Sequence, residues 1–287
     1  RFLILAFSFS MLLPAITLGG ASARRVIDAP GLVVAPGFID LHSHSDYTLL
    51  VDGAAKSKVR QGVTTEILGE SESAGPVLGR VATGFDQALR RYHLKRDWQT
   101  LGDYFARVDR QGVSVNIASY VGSGQVRNCV LGNVNRAPSA EELGKMRDLV
   151  AQAMREGALG LSSGLIYPPN AFAKTEELIE LARVSAQYGG IYASHIRGES
   201  DNSLRALQEL IEIGEKARVP VHIFHFKKYG RPNWGKMGEQ VELIQAARQR
   251  GVEITADQYP YIAAMTGLEM GIPAKYQEGS ADEVVAR

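Results

Sequence analysis

The sequence predicts an α/β fold in which parallel strands alternate with helices, arranged as an incomplete (β/α)8 barrel of about seven strands with the eighth missing. Three observations carry this. β-rich runs and helix-like stretches follow one another from residue 38 onward. Glycines punctuate the passage from each helix-like stretch to the next run. Polar residues able to do chemistry gather at the C-terminal ends of several runs, where such a barrel keeps its active site. A doubly wound open sheet shares the alternation, but its phosphate-binding glycine fingerprint is absent after the first run.

The elements follow in order. After Arg1, residues Phe2 to Leu18 carry no charge, and Ala21-Ser22-Ala23 resembles a signal-peptidase site. Residues 1–23 therefore have the layout of a secretory leader, the alternative being a buried strand or the damaged start of a longer protein. The apolar run is marginal for a membrane span and Pro14 interrupts it. Removal of the leader would place the protein in the periplasm or outside the cell; otherwise it is cytoplasmic. Residues 24–36 form a linker, and 37–287 the barrel. Strands are expected near 38–43, 63–69, 113–121, 158–165, 190–195, 219–225 and 252–258. Gly62, Gly112, Gly157, Gly190 and Gly251 precede all but the first and sixth of these, as left-handed helix ends would. Helices are expected over 139–156, 175–188, 203–217 and 236–250 from apolar spacing. Ser139-Ala140-Glu141-Glu142 reads as a capping box, and Thr175 precedes two glutamates of a first turn.

Composition narrows the function. The chain has 287 residues, 45% hydrophobic and 22% charged, enough for one large core or two smaller ones. A net charge of +1 gives no sign of nucleic-acid binding or of general attraction to membranes. A single cysteine, Cys129, excludes an intrachain disulfide and a multi-cysteine zinc site, and is read as a buried thiol.

Four histidines stand at strand ends: His42 and His44 in Asp40-Leu41-His42-Ser43-His44, His195 after Ala193-Ser194, and His225 after Ile223-Phe224. Residues two apart in a strand share a face, so His42 and His44 can converge on one ion with Ser43 turned away. Neutral imidazole is a common ligand of zinc and similar cations, which points to one or two divalent ions. Two cations in one site need an anionic ligand between them. Glu70, at the end of the second strand, is the best placed, with Glu72 the runner-up and a solvated loop carboxylate the alternative. Asp46 is a candidate to orient a histidine from behind. Lys227, two residues past His225, is placed to hold a substrate carboxylate, with Tyr167 and Tyr259 donating hydrogen bonds. Arg197 and Glu199 are either pocket residues or a surface pair. Asp257 is read as a general base or as a polar strand end, and His93 and His222 as ordinary packed or surface histidines.

At these residues the chain resembles the amidohydrolase superfamily, and within it the D-aminoacylase (N-acyl-D-amino-acid deacylase) family. The resemblance runs from about Arg25 to Gly279. Its most specific stretches are Ala35-Pro36-Gly37-Phe38-Ile39-Asp40-Leu41-His42-Ser43-His44, Gly62-Val63-Thr64-Thr65, Gly164-Leu165-Ile166-Tyr167-Pro168, Ser194-His195-Ile196-Arg197-Gly198-Glu199 and His225-Phe226-Lys227. It implies a metal-dependent barrel with a small β-sandwich built from both chain ends, of which 24–36 would be a remnant. It implies that His42, His44, His195 and His225 ligate metal and that Lys227, Tyr167 and Tyr259 hold the substrate carboxylate. Many relatives carry a metal-binding cysteine where this chain has Ser71, so a flanking glutamate must substitute or metal affinity falls. The family's catalytic aspartate lies in an eighth strand that this sequence does not contain. The chain is thus expected to be truncated, with catalysis weakened by roughly 10²–10⁴-fold.

The implied reaction is metal-dependent hydrolysis of the amide of a small N-acyl-D-amino acid, releasing a carboxylate and the free amino acid. A cyclic-amide amidohydrolase of the dihydroorotase or hydantoinase kind, and a catalytically dead barrel that binds a ligand, stand as alternatives.

Overall fold

The computed structural model describes residues 24, 27, 28 and 30–286. The leader-like residues 1–23 lie outside them. The chain divides into two compact units, 1–37 and 38–287. The described residues of the first unit contain no strand, only a turn at Pro30-Gly31.

The second unit holds eight strands: β1 Phe38–Asp40, β2 Val63–Leu68, β3 Asn116–Ser119, β4 Val121–Gly122, β5 Gly160–Gly164, β6 Ile191–His195, β7 Val221–Ile223 and β8 Ile254–Ala256. All pair in parallel and in chain order, β1-β2-β3 and β4-β5-β6-β7-β8. This is the order of a barrel, and seven barrel positions are filled because β3 and β4 are pieces of one run. The single strand expected over 113–121 breaks at Tyr120, where its pairing passes from β2 to β5. Backbone bonds bridge the break, Tyr120 N to Leu68 O at 2.9 Å and Leu159 N to Ser119 O at 2.9 Å. β1 and β8 pair on one side only, so among the described residues the sheet stays open. No helix among the described residues is long and apolar enough to cross a membrane.

The four helices read from apolar spacing form at Ala140–Arg155, Thr175–Gln187, Ser203–Ala217 and Gly238–Gln249. Ser139 and Glu142 close the expected capping box, satisfying two orphan donors of the first turn. Helices at Arg80–Arg90, Leu101–Gln111 and Ser123–Val130 complete the layer between β2 and β5. At the fourth junction the left-handed residue is Gly189 (φ +74°), not Gly190. Gly190 is needed for another reason: a Cβ there would lie 2.6 Å from the Met154 side chain and 2.7 Å from Ser185 Oγ. Cys129 is only half-buried, and its thiol donates to Pro76 O at 3.4 Å.

The main core fills the space between sheet and helices, with Leu161, Leu178, Leu181, Tyr192, Leu207 and Val221 among its most buried members. A smaller cluster of Ile67, Tyr120, Ala193 and Phe224 lies on the other face of the strands, one residue each from β2, β6, the Tyr120 break and the end of β7. Strands of this kind are covered on both faces, which is why β5 is buried at every position despite its two serines. Phe224 stacks on the His42 ring (centroids 4.2 Å apart, planes at 26°), so this apolar layer floors the polar site.

Candidate metal centre

His42 and His44 follow β1, Glu70 follows β2, His195 closes β6, and His225 lies two residues past β7. Parallel strands of two sheets that follow one another through the Tyr120 break bring these C-terminal ends to one rim, and the four histidines and Glu70 meet there. Glu70 is the hub. Its Oε2 is 2.5 Å from His42 Nε2 and 3.2 Å from His44 Nε2, and its Oε1 is 3.3 Å from His195 Nδ1. His195 Nδ1 is in turn 2.9 Å from His225 Nε2. Two groups able to hold a cation result, His42–His44–Glu70 and Glu70–His195–His225, sharing one carboxylate.

Glu72 belongs to neither group and is exposed. The alternation that would align it with Glu70 fails because β2 ends at Leu68, after which Gly69 (φ +88°) and Ser71 (φ +57°) turn the chain. Ser71 Oγ faces Asn170 Oδ1 at 3.4 Å, and its own amide is bound by Ser162 Oγ at 3.1 Å.

The electrostatics suit a cation. Burial would raise the Glu70 carboxyl, but contacts with His195, His42 and His44, and the charge on His42, outweigh it and hold Glu70 well below the usual carboxylate range. Its Oε1 is nevertheless buried without a well-formed hydrogen bond among the described residues, as is His195 Nε2. Burial would lower His42, yet the Asp257 and Glu70 carboxylates on either side raise it to about 9. Burial lowers His225 against the pull of Glu199, leaving it neutral and able to donate a lone pair. An anionic carboxylate ringed by imidazoles is an oxygen–nitrogen donor set of the kind zinc takes.

Tyr167, Tyr259, Lys227 and Glu199 lie on the His195–His225 side. Tyr167 lies edge-on to His195 with ring centroids 5.3 Å apart, its hydroxyl 3.2 Å from Thr266 Oγ1. Tyr259 lies 6.4 Å from the His225 ring, and Lys227 Nζ sits 5.4 Å above the Tyr259 ring. Lys227 Nζ donates to Glu199 Oε1 at 2.7 Å, and the same oxygen is 3.0 Å from His225 Nδ1. Arg197 and Glu199 do not pair with each other. Arg197 binds Glu209 at 2.8 and 2.9 Å and the carbonyls of Ala171 and Ala173, partners outside the histidine cluster. Asp46 is buried, its Oδ1 has no hydrogen-bond partner among the described residues, and burial lifts its carboxyl to about 7. His93 is exposed on a turn away from the cluster.

The sequence alone gave no reason to join Asp257, His222 and Thr255. Asp257 Oδ2 is 2.9 Å from His222 Nε2, and His222 Nδ1 is 2.7 Å from Thr255 Oγ1. Their meeting depends on the pairing of two neighbouring strands, which sets His222 directly opposite Thr255.

The Amidohydrolase family matches residues 25–273. The D-aminoacylase of Alcaligenes xylosoxydans xylosoxydans is 39% identical over 88% of this chain and 52% of its own length. The N-acyl-D-glutamate deacylase of the same organism is 34% identical over 87% and 51%. Among solved structures, a D-aminoacylase superposes with a TM-score of 0.76 at 36% identity, covering 86% of this chain and 52% of that one. The N-acyl-D-glutamate deacylase from Bordetella bronchiseptica, complexed with zinc and a phosphonate inhibitor that mimics the tetrahedral intermediate, gives 0.77 at 35% identity, covering 85% and 51%. The chain spans about half the length of the curated relatives it matches.

Proposed function

The chain belongs to the amidohydrolase family, and on that premise we propose that its rim centre holds one or two divalent ions, zinc foremost, and serves hydrolysis of the amide bond of N-acyl-D-amino acids. The observation that carries this is the placing of one buried carboxylate, Glu70, between two histidine pairs, with a donor atom of each pair within 3.3 Å of it. His42, His44 and Glu70 would hold one ion, and Glu70, His195 and His225 the other. Ser71 takes no part, and Glu70 stands in for the thiolate expected at that turn. A divalent ion held there supplies Lewis acidity towards an acyl oxygen and towards water.

The chain's own residues do the rest. Lys227, whose ammonium lies beside His225, receives the substrate α-carboxylate as a point charge. Tyr167 and Tyr259 flank the same side and donate hydroxyls to that carboxylate, fixing which face of the α-carbon meets the centre. Phe224 closes the floor beneath His42 and keeps bulk water from that side. The substrate class is supported by three relatives, named as a D-aminoacylase, an N-acyl-D-glutamate deacylase and an N-acyl-D-aspartate deacylase.

The test joins metal content to turnover. Zinc that is retained by the chain and lost in a His195→Ala, His225→Ala double variant, with release of free amino acid from N-acetyl-D- but not N-acetyl-L-amino acids, supports the reading. Absence of histidine-dependent zinc overturns it. Ring opening of cyclic amides without any hydrolysis of acyl-amino acids replaces it with the cyclic-amidase alternative.

A further inference from the structure

Asp257, at the end of β8, has no part in the hydrolysis as proposed, yet it touches both halves of the centre. Its Oδ1 accepts the backbone N–H of His225 at 2.7 Å and lies 3.8 Å from His42 Nδ1. Its Oδ2 faces His222 Nε2 at 2.9 Å. We propose that Asp257, locked in place by His222, is the positioning residue that keeps one histidine of each metal group aimed at Glu70. The inference rests on the reading of His42 and His225 as ligands.

His42 is held from both sides of its ring. Its Nε2 is turned to Glu70 at 2.5 Å, so the opposite ring nitrogen must carry the proton when Nε2 ligates. A carboxylate on that side favours this tautomer and this ring orientation, the arrangement that metal-bound histidines usually show. Asp257 is the acidic group on that side.

His225 is held through its backbone. Its φ is +40°, a left-handed conformation that is unfavourable for a residue with a Cβ. Asp257 clamps the turn that imposes it. Besides the His225 N–H bond, Asp257 O accepts from Phe226 N at 2.8 Å, and Asp257 N donates to Ile223 O at 3.1 Å. Three bonds to one residue therefore span the turn from β7 into His225, and releasing them would let the ring swing away from His195.

His222 completes the lock. It is 3% exposed, and both ring nitrogens are engaged. The carboxylate can only accept, so Nε2–H donates to Asp257 and Nδ1 accepts from the Thr255 hydroxyl at 2.7 Å. With both Asp257 oxygens already engaged, the residue is poorly suited to take a proton from water, which disfavours the general-base role weighed from sequence.

The test measures the limiting zinc affinity of the full chain, at a pH above 9 where protons no longer compete for His42, by competition with a chromophoric chelator, for wild type, Asp257→Asn, Asp257→Glu and His222→Ala. Loss of an orienting partner behind a metal ligand weakens affinity by about 10–100-fold. Asp257→Asn is expected in that range with a changed absorption spectrum of the cobalt-loaded protein, His222→Ala near the lower end, and Asp257→Glu between Asn and wild type. A purely structural role would lower the melting temperature and leave the zinc affinity of the folded protein alone. Folded Asp257→Asn with zinc affinity within threefold of wild type overturns the inference. If that variant does not fold, wild-type affinity in His222→Ala, which retains every Asp257 backbone bond, overturns it. Wild type that binds no zinc overturns this inference and the metal-centre reading together, whereas zinc-binding wild type with unaffected variants overturns this inference alone.

Discussion

Metal uptake at this centre should be coupled to loss of a proton from His42. The pH dependence is set by the two carboxylates that flank the ring. They raise His42 to about 9, so at pH 7 the ratio of charged to neutral imidazole is about 10², and only the neutral ring can ligate. Apparent zinc affinity should therefore be about 100-fold below its limiting value at pH 7, equivalent to about 2.7 kcal/mol. The sign is fixed by competition. Affinity rises as pH rises, by about tenfold per unit between pH 7 and 8.5, and flattens near pH 9. An ordinary histidine, titrating near 6.5, would already be flat above pH 7.5. Chelator competition corrected for chelator and zinc protonation reads the affinity, and calorimetry in buffers of different ionisation enthalpy counts the protons released. Affinity constant within threefold from pH 7 to 8.5, with no proton released at pH 7, would refute a His42 held charged between Asp257 and Glu70.

Three further outcomes follow from other residues. Glu70→Gln should abolish retention of a second ion and weaken the first, whereas Glu72→Gln should leave zinc stoichiometry by mass spectrometry unchanged, since Glu72 lies outside both groups; equal loss in both would contradict the assignment. Phe224→Ala removes a ring that is 1% exposed and stacked on His42, and should lower unfolding free energy by about 3–5 kcal/mol in a denaturant titration of the metal-free protein. Asp46 has a folded pKa of about 7 against 3.8 when free, so the unfolded chain ionises first and stability is lost as pH climbs from about 4 to 7. Asp46→Asn should remove that loss, making the metal-free variant more stable than wild type at pH 8 by up to about 4 kcal/mol and no more stable at pH 3.5.

Much of this was legible in the sequence because it depends on period and punctuation. The four helices appear within two residues of their expected bounds, since apolar spacing and the Ser139 capping box are local signals. The convergence of the four histidines and Glu70 was legible because the C-terminal ends of parallel strands share one rim. What escaped was whatever depended on the chain after a strand had ended. Alternation selected Lys227 as facing the His225 pocket, yet β7 stops at Ile223 and His225 sits at positive φ. Lys227 does reach His225, by its long stem rather than by register. The same argument set Glu72 beside Glu70 and failed at the turns of Gly69 and Ser71. Splitting at Tyr120 and the Thr255–His222–Asp257 chain are properties of neighbouring strands, which a single sequence does not pair.

In the proposed centre Glu70 lies between two histidine pairs that hold metal. Anomalous diffraction at the zinc absorption edge, on crystals of the zinc-loaded chain, tests it most directly. The expected result is anomalous density against Glu70, with a peak at the His195–His225 pair, the His42–His44 pair or both. Zinc bound elsewhere, or a Glu70 carboxylate with no anomalous peak beside it in a crystal that holds zinc, would contradict it.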